Sequence, residues 1–510
     1  MTNKHIARAL SETASLIELS GGNSFRARAF INAARTIDRL DEQAVDLLAD
    51  GSLTNIRGIG KGLVDQIGEL VETGTFALRD ELLGSIPPGV VELLRVKGIG
   101  AKKARTLWKT LSVTSVEDLE EAAAIGRLAE LPGFGERTQE TVLSAARTFL
   151  RYRSARHYAA VYSSITPLVT ELRALAGVRR AEITGSLRRK METVSSADLL
   201  IAGAVDVVED ALAGEYDLSR EETDDGVSLT GTLHDGLPLI IRFVPEEQFG
   251  TIWWKTTGSS AHVEHYLERF GQPPKTASEE AVFDVVNLSF IPPELREDDR
   301  AFDAASDGRL PRLITVSDLR GSLHNHSTYS DGAHSLSDMA AAAFEMGLSY
   351  FGICDHSRSL TIANGMSVER VQQQQAEIRE LNELYASKER PFYIFSGIES
   401  DILENGELDY SEEILATFDF VVASIHSHFT MTEDAATARL IAAIENPYTS
   451  ILGHMTGRLL LSRDGYPVNH RKVIDACAAN SVAIELNANP YRLDMDWRWL
   501  PYALDRGVLV

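Results

Sequence analysis

The stretch Gly321–Gly332, GSLHNHSTYSDG, decides the reading of this chain. His324 and His326 are two residues apart, and on a β-strand such residues share a face. Two imidazoles on one face can grip one metal ion. Asp331 follows in a polar turn that ends on Gly332. The preceding run, LITVSDLRGSL, reads as strand and then turn, so the pattern predicts a strand end delivering ligands into a pocket. A bare His-x-His is common in loops and carries little by itself. The downstream sequence adds the weight. Apolar runs recur, and each ends in potential ligands: YFGICDHS with Asp355 and His356, FYIFSGIESDI with Glu399, FVVASIHSH with His426 and His428, SILGHMTG with His454. Helical stretches separate them. Repeated strand–ligand–helix units predict a barrel-like α/β domain whose strand C-termini build a multinuclear metal site.

From about residue 319 to 510 the sequence resembles the polymerase-and-histidinol-phosphatase (PHP) domain. That resemblance implies a (β/α) barrel, up to three Mn2+ or Zn2+ ions, and His324, His326, Asp331, His356, Glu399, His426 and His454 as ligands. It also implies that the first ion shares His324, His326 and Glu399 with a terminal Asp. Asp331 and His356 would share a second ion with a terminal His, and Glu399, His426 and His454 would hold the third. The family's closing Asp-x-His pair falls beyond RGVLV at Val510. The expectation is therefore a barrel short of its last strand or strands, with an unpaired sheet edge and two weakened metal positions.

The 510 residues predict two to four domains. No run approaches the roughly 18 apolar residues of a membrane helix, and no signal peptide is visible, so no membrane partner is expected. Cys354 and Cys477 make no disulfide framework, which predicts a cytoplasmic protein. The net charge of −24 argues against wholesale coating of nucleic acid. Residues 1–160 are nevertheless close to neutral and carry basic clusters such as Lys97–Arg105, while the excess acid lies behind them.

One pattern occurs three times in that front part: LTNIRGIGKGLVDQI, LLRVKGIGAKKARTLW and LAELPGFGERTQETVL. Each is an apolar run, a Gly-x-Gly turn and an amphipathic helix. The glycines (Gly58 and Gly60, Gly98 and Gly100, Gly133 and Gly135) permit a tight turn and a close approach of backbone to another surface. The N–H groups opening the next helix can hold a phosphate, with Lys61, Lys97, Lys102, Lys103 and Arg137 adding charge. The three copies resemble helix-hairpin-helix motifs, which contact DNA backbone rather than bases. The third is less basic and suits packing. SFRARAFINAARTI resembles the N-terminal domain of family X DNA polymerases, some of which use a Schiff-base Lys. The matching residue here is Gln66, whose amide cannot form an imine.

ITGSLRRKMETVSSADLLIAG resembles the family X nucleotidyltransferase signature. The resemblance implies that Gly185, Ser186, Arg189 and Gly258 hold a nucleotide, and that three Asp residues hold two Mg2+ ions. Asp198 matches one of the three. The other two positions fall on Ser196 and Ile240, which are a poor ligand and none. Lys255 and Thr256 stand where the family has aromatics that pack on the nucleotide. Mg2+ binding and polymerisation are therefore expected to be impaired, with Asp198 the residual catalytic carboxylate. PPELRED and RAFDAASDG read as a linker.

The sequence-based architecture is multidomain α and α/β. It comprises a helical DNA-binding domain with the first hairpin (1–80), a fingers-like hairpin region (81–155), a nucleotidyltransferase palm and thumb-like domain (156–310) and an incomplete PHP domain (311–510). Overall the chain resembles bacterial family X polymerases with a C-terminal PHP domain. This implies a metal-dependent 3′–5′ exonuclease in DNA repair that binds gapped or 3′-recessed duplex alongside other repair proteins. Alternatives are a non-catalytic scaffold for gapped DNA, an active gap-filling polymerase and a small-molecule phosphatase.

Overall fold

The computed structural model describes residues 3–40, 42–223, 226–233 and 235–510. The chain divides into two compact units, Met1–Arg153 and Ser154–Val510.

The first unit is helical. Helices Asn3–Ser20 and Ser24–Asp38 pack against each other, and Lys61–Thr73, Ala101–Leu111 and Gly135–Tyr152 each follow a Gly-x-Gly turn. Gly58, Gly98 and Gly133, the first glycine of each turn, take left-handed φ values of 94°, 87° and 85°, which cost a side chain with a Cβ steric strain. The residue between the glycines is buried each time: Ile59, Ile99 and Phe134. The hairpins are thus turned by glycine and pinned by one apolar side chain.

Among the described residues the second unit holds three sheets. Strands β1 (Arg156–His157) and β3 (Thr193–Val194) form a short antiparallel pair. A five-stranded mixed sheet runs β2 (Val178–Ile183), β4 (Ala197–Gly203), β7 (Pro238–Phe243), β6 (Gly226–Thr232), β5 (Ser219–Thr223). The third sheet is parallel, in sequential order from β8 (Gly321–Asn325) through β9 (Tyr350–Ile353), β10 (Tyr393–Asp401), β11 (Phe420–Ser424) and β12 (Ile451–Leu452) to β13 (Ala483–Ile484). Helices such as Leu336–Glu345, Val368–Ala386, Glu433–Ile444 and His470–Asn480 lie between consecutive strands. This is barrel-type topology with β8 and β13 at the ends of an open sheet. The central strands β9, β10 and β11 bury near-continuous runs, as sheets covered by helices require. Beside β13, Leu509 carbonyl accepts the Ile484 N–H at 2.9 Å.

The expected linker is part of a core instead. Arg300–Ser306 is a helix that buries Ala301, Phe302 and Ala305, and Phe302 packs on His262 and Tyr266. Acidic composition concealed this apolar face. In PPELRED, Arg296 is wholly buried and donates to Glu279 at 2.6 Å. Glu279 also takes two bonds from Arg188, at 2.6 Å each. Burial raises the pKa of Glu279, but the two guanidinium groups outweigh it and hold the carboxyl below its ordinary value.

Glu279→Gln would leave two buried cations short of their counter-ion, a loss of about 3–5 kcal/mol. The expected outcome is a lower melting temperature for the second unit at pH 7. Because the folded pKa is depressed, this contribution is present above the ordinary carboxylate pKa and fades as pH falls through the folded value. The gap between variant and parent should therefore narrow in acid. Identical melting at pH 7 would contradict it.

Candidate functional site

The third sheet presents its chemistry at one edge, the C-terminal ends of its strands. His324 lies in β8 and His326 just beyond it. His356 lies three residues past β9 and Glu399 in the last half of β10. His426 and His454 each stand two residues past β11 and β12. Asp331 arrives on the loop after β8. That loop is tied down by Asp355, which is wholly buried. Asp355 accepts from Ser327 N at 2.8 Å, Ser327 Oγ at 2.7 Å, Ser330 Oγ at 2.5 Å and Gln374 Nε2 at 2.6 Å. The turn also needs Gly332, where a Cβ would come within 2.4 Å of the His326 carbonyl oxygen.

Glu399 is the centre. Its carboxylate is completely buried and faces five imidazoles: His356 Nδ1 at 2.8 Å, His454 Nε2 at 2.9 Å, His426 Nε2 at 3.1 Å, His324 Nε2 at 3.2 Å and His326 Nε2 at 3.6 Å. Asp331 lies 3.4 Å from His326 Nδ1 and 3.7 Å from His356 Nε2. All seven residues singled out for this site therefore converge. Asp355 and His428 do not join them. Asp355 anchors the loop, and His428 is exposed with a left-handed φ of 55°.

The short distances are not hydrogen bonds. Both Glu399 oxygens, and the Nδ1 atoms of His326, His356, His426 and His454, are buried without a hydrogen-bond partner. Buried polar atoms normally have partners. Nitrogen and oxygen lone pairs that converge without hydrogen-bond geometry are what a set of metal ligands looks like. Three groups fit one ion each: His324, His326 and Glu399; His326, Asp331 and His356; His356, Glu399 and His426. The residues present can hold a metal. Electrostatics agree on how tightly the groups are coupled. Burial alone would lower His324 and His426, but the neighbouring carboxylates push them up to about 10 and about 9. Burial takes His326 down to about 4. Glu399 is held well below the carboxylate range by His324 and His426, against its own desolvation.

Sequence reasoning missed Glu485, one residue past β13. Its Oε1 lies 2.5 Å from His324 Nδ1, on the far side of the ring from Glu399, and its Oε2 accepts the His454 N–H at 2.7 Å. One carboxylate thus fixes the tautomer of one imidazole and the backbone of another. The signal was present: VAIE is an apolar run ending in a carboxylate, like SGIE at Glu399.

Comparison with known proteins gives the context. Residues 322–489 match the PHP domain, residues 1–76 a helix-hairpin-helix domain and residues 90–148 a SAM-like helix-hairpin-helix tandem. The chain is 35% identical over 538 aligned positions to the DNA polymerase/3′-5′ exonuclease PolX of Bacillus subtilis (strain 168), covering 100% of this chain and 91% of that protein. The chain belongs to the PolX family. Shorter matches within it reach proteins named as probable phosphatases. One from Caldanaerobacter subterraneus subsp. tengcongensis is 35% identical over 19% of this chain and 38% of its own length. Another, from Clostridium novyi (strain NT), is 25% identical over 33% of this chain and 65% of its own length.

In the five-stranded sheet, Asp198 on β4 sits in register with Ile240 on the parallel neighbour β7. Ser196 donates its hydroxyl to Asp198 Oδ2, and Arg242 donates to Oδ1 at 3.0 Å. The Asp198 carboxylate is thus already matched by a guanidinium. Gly185 packs on it, with a left-handed φ of 67° and a Cβ position 3.2 Å from Asp198 Oδ2. Ser186 follows on the short helix Gly185–Arg188. Arg189 is taken by Glu297 and donates to the Thr257 carbonyl at 2.7 Å. Gly258 ends the helix Phe249–Thr257; on that helix Lys255 is exposed, and Thr256 Oγ1 lies 2.7 Å from Thr184 Oγ1.

In the first unit, Gly60 and Gly100 stand as extended N-caps without side-chain caps, so the helix N–H groups behind them face outward beside Lys61 and Lys102. The third hairpin departs from this. Gly135 lies inside its helix, and Lys103 from the second hairpin stacks over Phe134 while donating to the Gly98 carbonyl at 3.1 Å. Gln66 lies within Lys61–Thr73. Among the described residues no helix is long and apolar enough to cross a membrane.

Glu485→Gln keeps the shape but weakens the acceptor behind His324. The expected result is metal affinity reduced about 10- to 100-fold, read by titrating the metal-free protein with Mn2+, with melting little changed. Glu399→Ala should abolish stoichiometric binding. Unaltered affinity in Glu485→Gln would remove its role behind the ligands.

Proposed function

We propose that this chain is a metal-dependent 3′–5′ exonuclease acting on gapped or 3′-recessed DNA in repair, and that its polymerase chemistry is impaired. The observation that carries the nuclease reading is Glu399, one buried carboxylate facing five imidazoles at a strand-end pocket. Divalent ions bound there, Mn2+ or Zn2+ by ligand type, would supply Lewis acidity toward a phosphodiester and lower the pKa of water. His324, His326, Asp331, His356, Glu399, His426 and His454 are the proposed ligands. Glu485 orients His324, and Asp355 holds the loop that carries Asp331. Burial of Glu399 keeps competing water away from the carboxylate.

The reading of the palm rests on what occupies its corner. Two-metal phosphoryl transfer needs carboxylates around two ions. Among the described residues Asp198 is the carboxylate at the matched positions, neutralised by Arg242, with Ser196 and Ile240 beside it. The arginines suited to a triphosphate are held by Glu279 and Glu297, so a nucleotide would first have to displace internal ion pairs. DNA contact is assigned to the first two hairpins, whose Gly58, Gly60, Lys61, Gly98, Gly100 and Lys102 present N–H groups and charge to a phosphate backbone. Gly133 and Gly135 belong to a hairpin that suits packing. The matches to probable phosphatases support a second reading, hydrolysis of small phosphomonoesters at the same cluster.

With Mn2+, the full chain should release nucleotides from the 3′ end of a recessed duplex. Glu399→Ala should abolish this, and Asp198→Ala should leave it intact. Primer extension should be undetectable in Mg2+ or Mn2+. Hydrolysis of p-nitrophenyl phosphate but not DNA would favour the phosphatase reading; extension that disappears in Asp198→Ala would overturn the reading of the palm. Lys61→Glu with Lys102→Glu should weaken duplex binding at every sequence and flatten the slope of log K against log salt by about 0.9 per lost phosphate contact.

A further inference from the structure

Two loops leave the strands that carry His454 and Glu485, and they are laced together. Leu460 N–H donates to the Tyr491 carbonyl at 2.8 Å. Arg458 donates to the carbonyls of Arg492, at 3.0 Å, and of Leu493, and pairs with Asp496 at 3.0 Å. Arg458 is therefore a structural cation with its charge matched. Arg463 and Arg492, on the same two loops, are different. Arg463 spends its Nε and Nη2 on one backbone carbonyl, that of Gly457, at 3.1 and 2.7 Å, and its guanidinium lies 4.2 Å from the centroid of Phe429. Gly457 and Phe429 are each three residues beyond a cluster histidine, His454 and His426. Gly457 N–H in turn donates to the His454 carbonyl at 2.9 Å, so Arg463 is tied to the backbone turn that follows a cluster ligand. Arg492 has a buried Nη1 with no hydrogen-bond acceptor. Among the described residues neither guanidinium has a carboxylate within ion-pair distance, although the chain carries a net charge of −24. The two are near enough that Arg492, after burial, is a cause of a lowered pKa at Arg463.

Two like charges on the laced loops that follow His454 and Glu485, one with an unsatisfied buried donor, are costly unless an anion joins them. We propose that Arg463 and Arg492 form a phosphate subsite beside the metal cluster, taking the backbone phosphate adjacent to the one being cleaved. The assignment rests on the nuclease reading above and extends it. The cluster acts on one phosphodiester, and the arginine pair grips its neighbour on the same strand. Arginine suits this through its planar fork of donors. A chain with such a subsite prefers oligonucleotides to substrates with a single phosphate.

The test uses the full chain with Mn2+ and two substrates. Thymidine 5′-(p-nitrophenyl) phosphate carries the scissile phosphate alone, and a thymidine trinucleotide carries a neighbour. Arg492→Ala should raise KM for the trinucleotide about 10- to 100-fold, the range for a lost charge-assisted hydrogen bond, and leave the p-nitrophenyl ester within about twofold. Arg492→Lys should recover part of the loss. Arg463→Ala should act alike; because it also packs on Phe429, Arg492→Ala decides if that variant fails to fold. Mn2+ stoichiometry should not move in either. An equal effect on both substrates, or none on the trinucleotide, overturns the subsite. If neither substrate is turned over, the nuclease reading falls, and calorimetric titration with the trinucleotide judges the arginines separately. Weakening by Arg492→Ala supports them, and unchanged affinity overturns them. A loss confined to inorganic phosphate assigns the pair to free phosphate and overturns the strand assignment.

Discussion

Everything at the functional end of the third sheet depends on one desolvated carboxylate. Glu399 is buried completely, and five imidazoles surround it. An isolated carboxylate in that place would cost several kcal/mol and would shift its pKa upward to shed its charge. Here the shift runs downward, because the surrounding nitrogens favour the anion. The geometry leaves the oxygens without hydrogen bonds, so the balance must come from positive charge: protonated histidine when the pocket holds no ion, metal when it does. Protons and metal ions therefore compete for the same atoms.

The two α/β parts of the second unit share a chain and differ in how they treat acid. In and beside the five-stranded sheet these charges pair internally: Asp198 with Arg242, Arg188 and Arg296 with Glu279, Arg189 with Glu297. The charges named there are matched within the protein. The parallel sheet leaves its charge open at the strand ends. Contacts run between the two. Arg498 pairs with Glu192 at 2.8 Å, and His157 meets both the Leu460 carbonyl at 3.1 Å and the ring of Tyr491. The loops around the cluster are thus braced by the other α/β part.

Much of this was legible in the sequence because strand-end ligands leave a periodic mark. Each apolar run in residues 321–456 ends on a residue that reaches the cluster, so the fold class and the seven convergent side chains could be read before any coordinates. The failures have physical reasons. Glu485 follows a strand of only two residues, too short to stand out. Asp355 shares its dipeptide with His356, and sequence cannot say that one faces the loop and the other the pocket. Arg300–Ser306 looked like a linker because it is short, two of its three buried residues are alanines, and Asp303 with Asp307 just beyond gives it a polar cast. Arg296 is buried only because Glu279, 17 residues earlier, neutralises it, and no local pattern announces such a pairing.

The sequential strand order has a consequence for how the protein is made. His324 and Glu485 meet across 161 residues. At synthesis rates of about 5–20 residues per second, His324 leaves the ribosome roughly 10–30 s before its partner exists. The support behind His324 is therefore the final part of the site to be made, well after the residues that face Glu399. A nascent chain carries separated histidines on unfinished sheet edges, and the pocket closes only when the last strand docks. A charged pocket split over six strands takes its final form only late in translation.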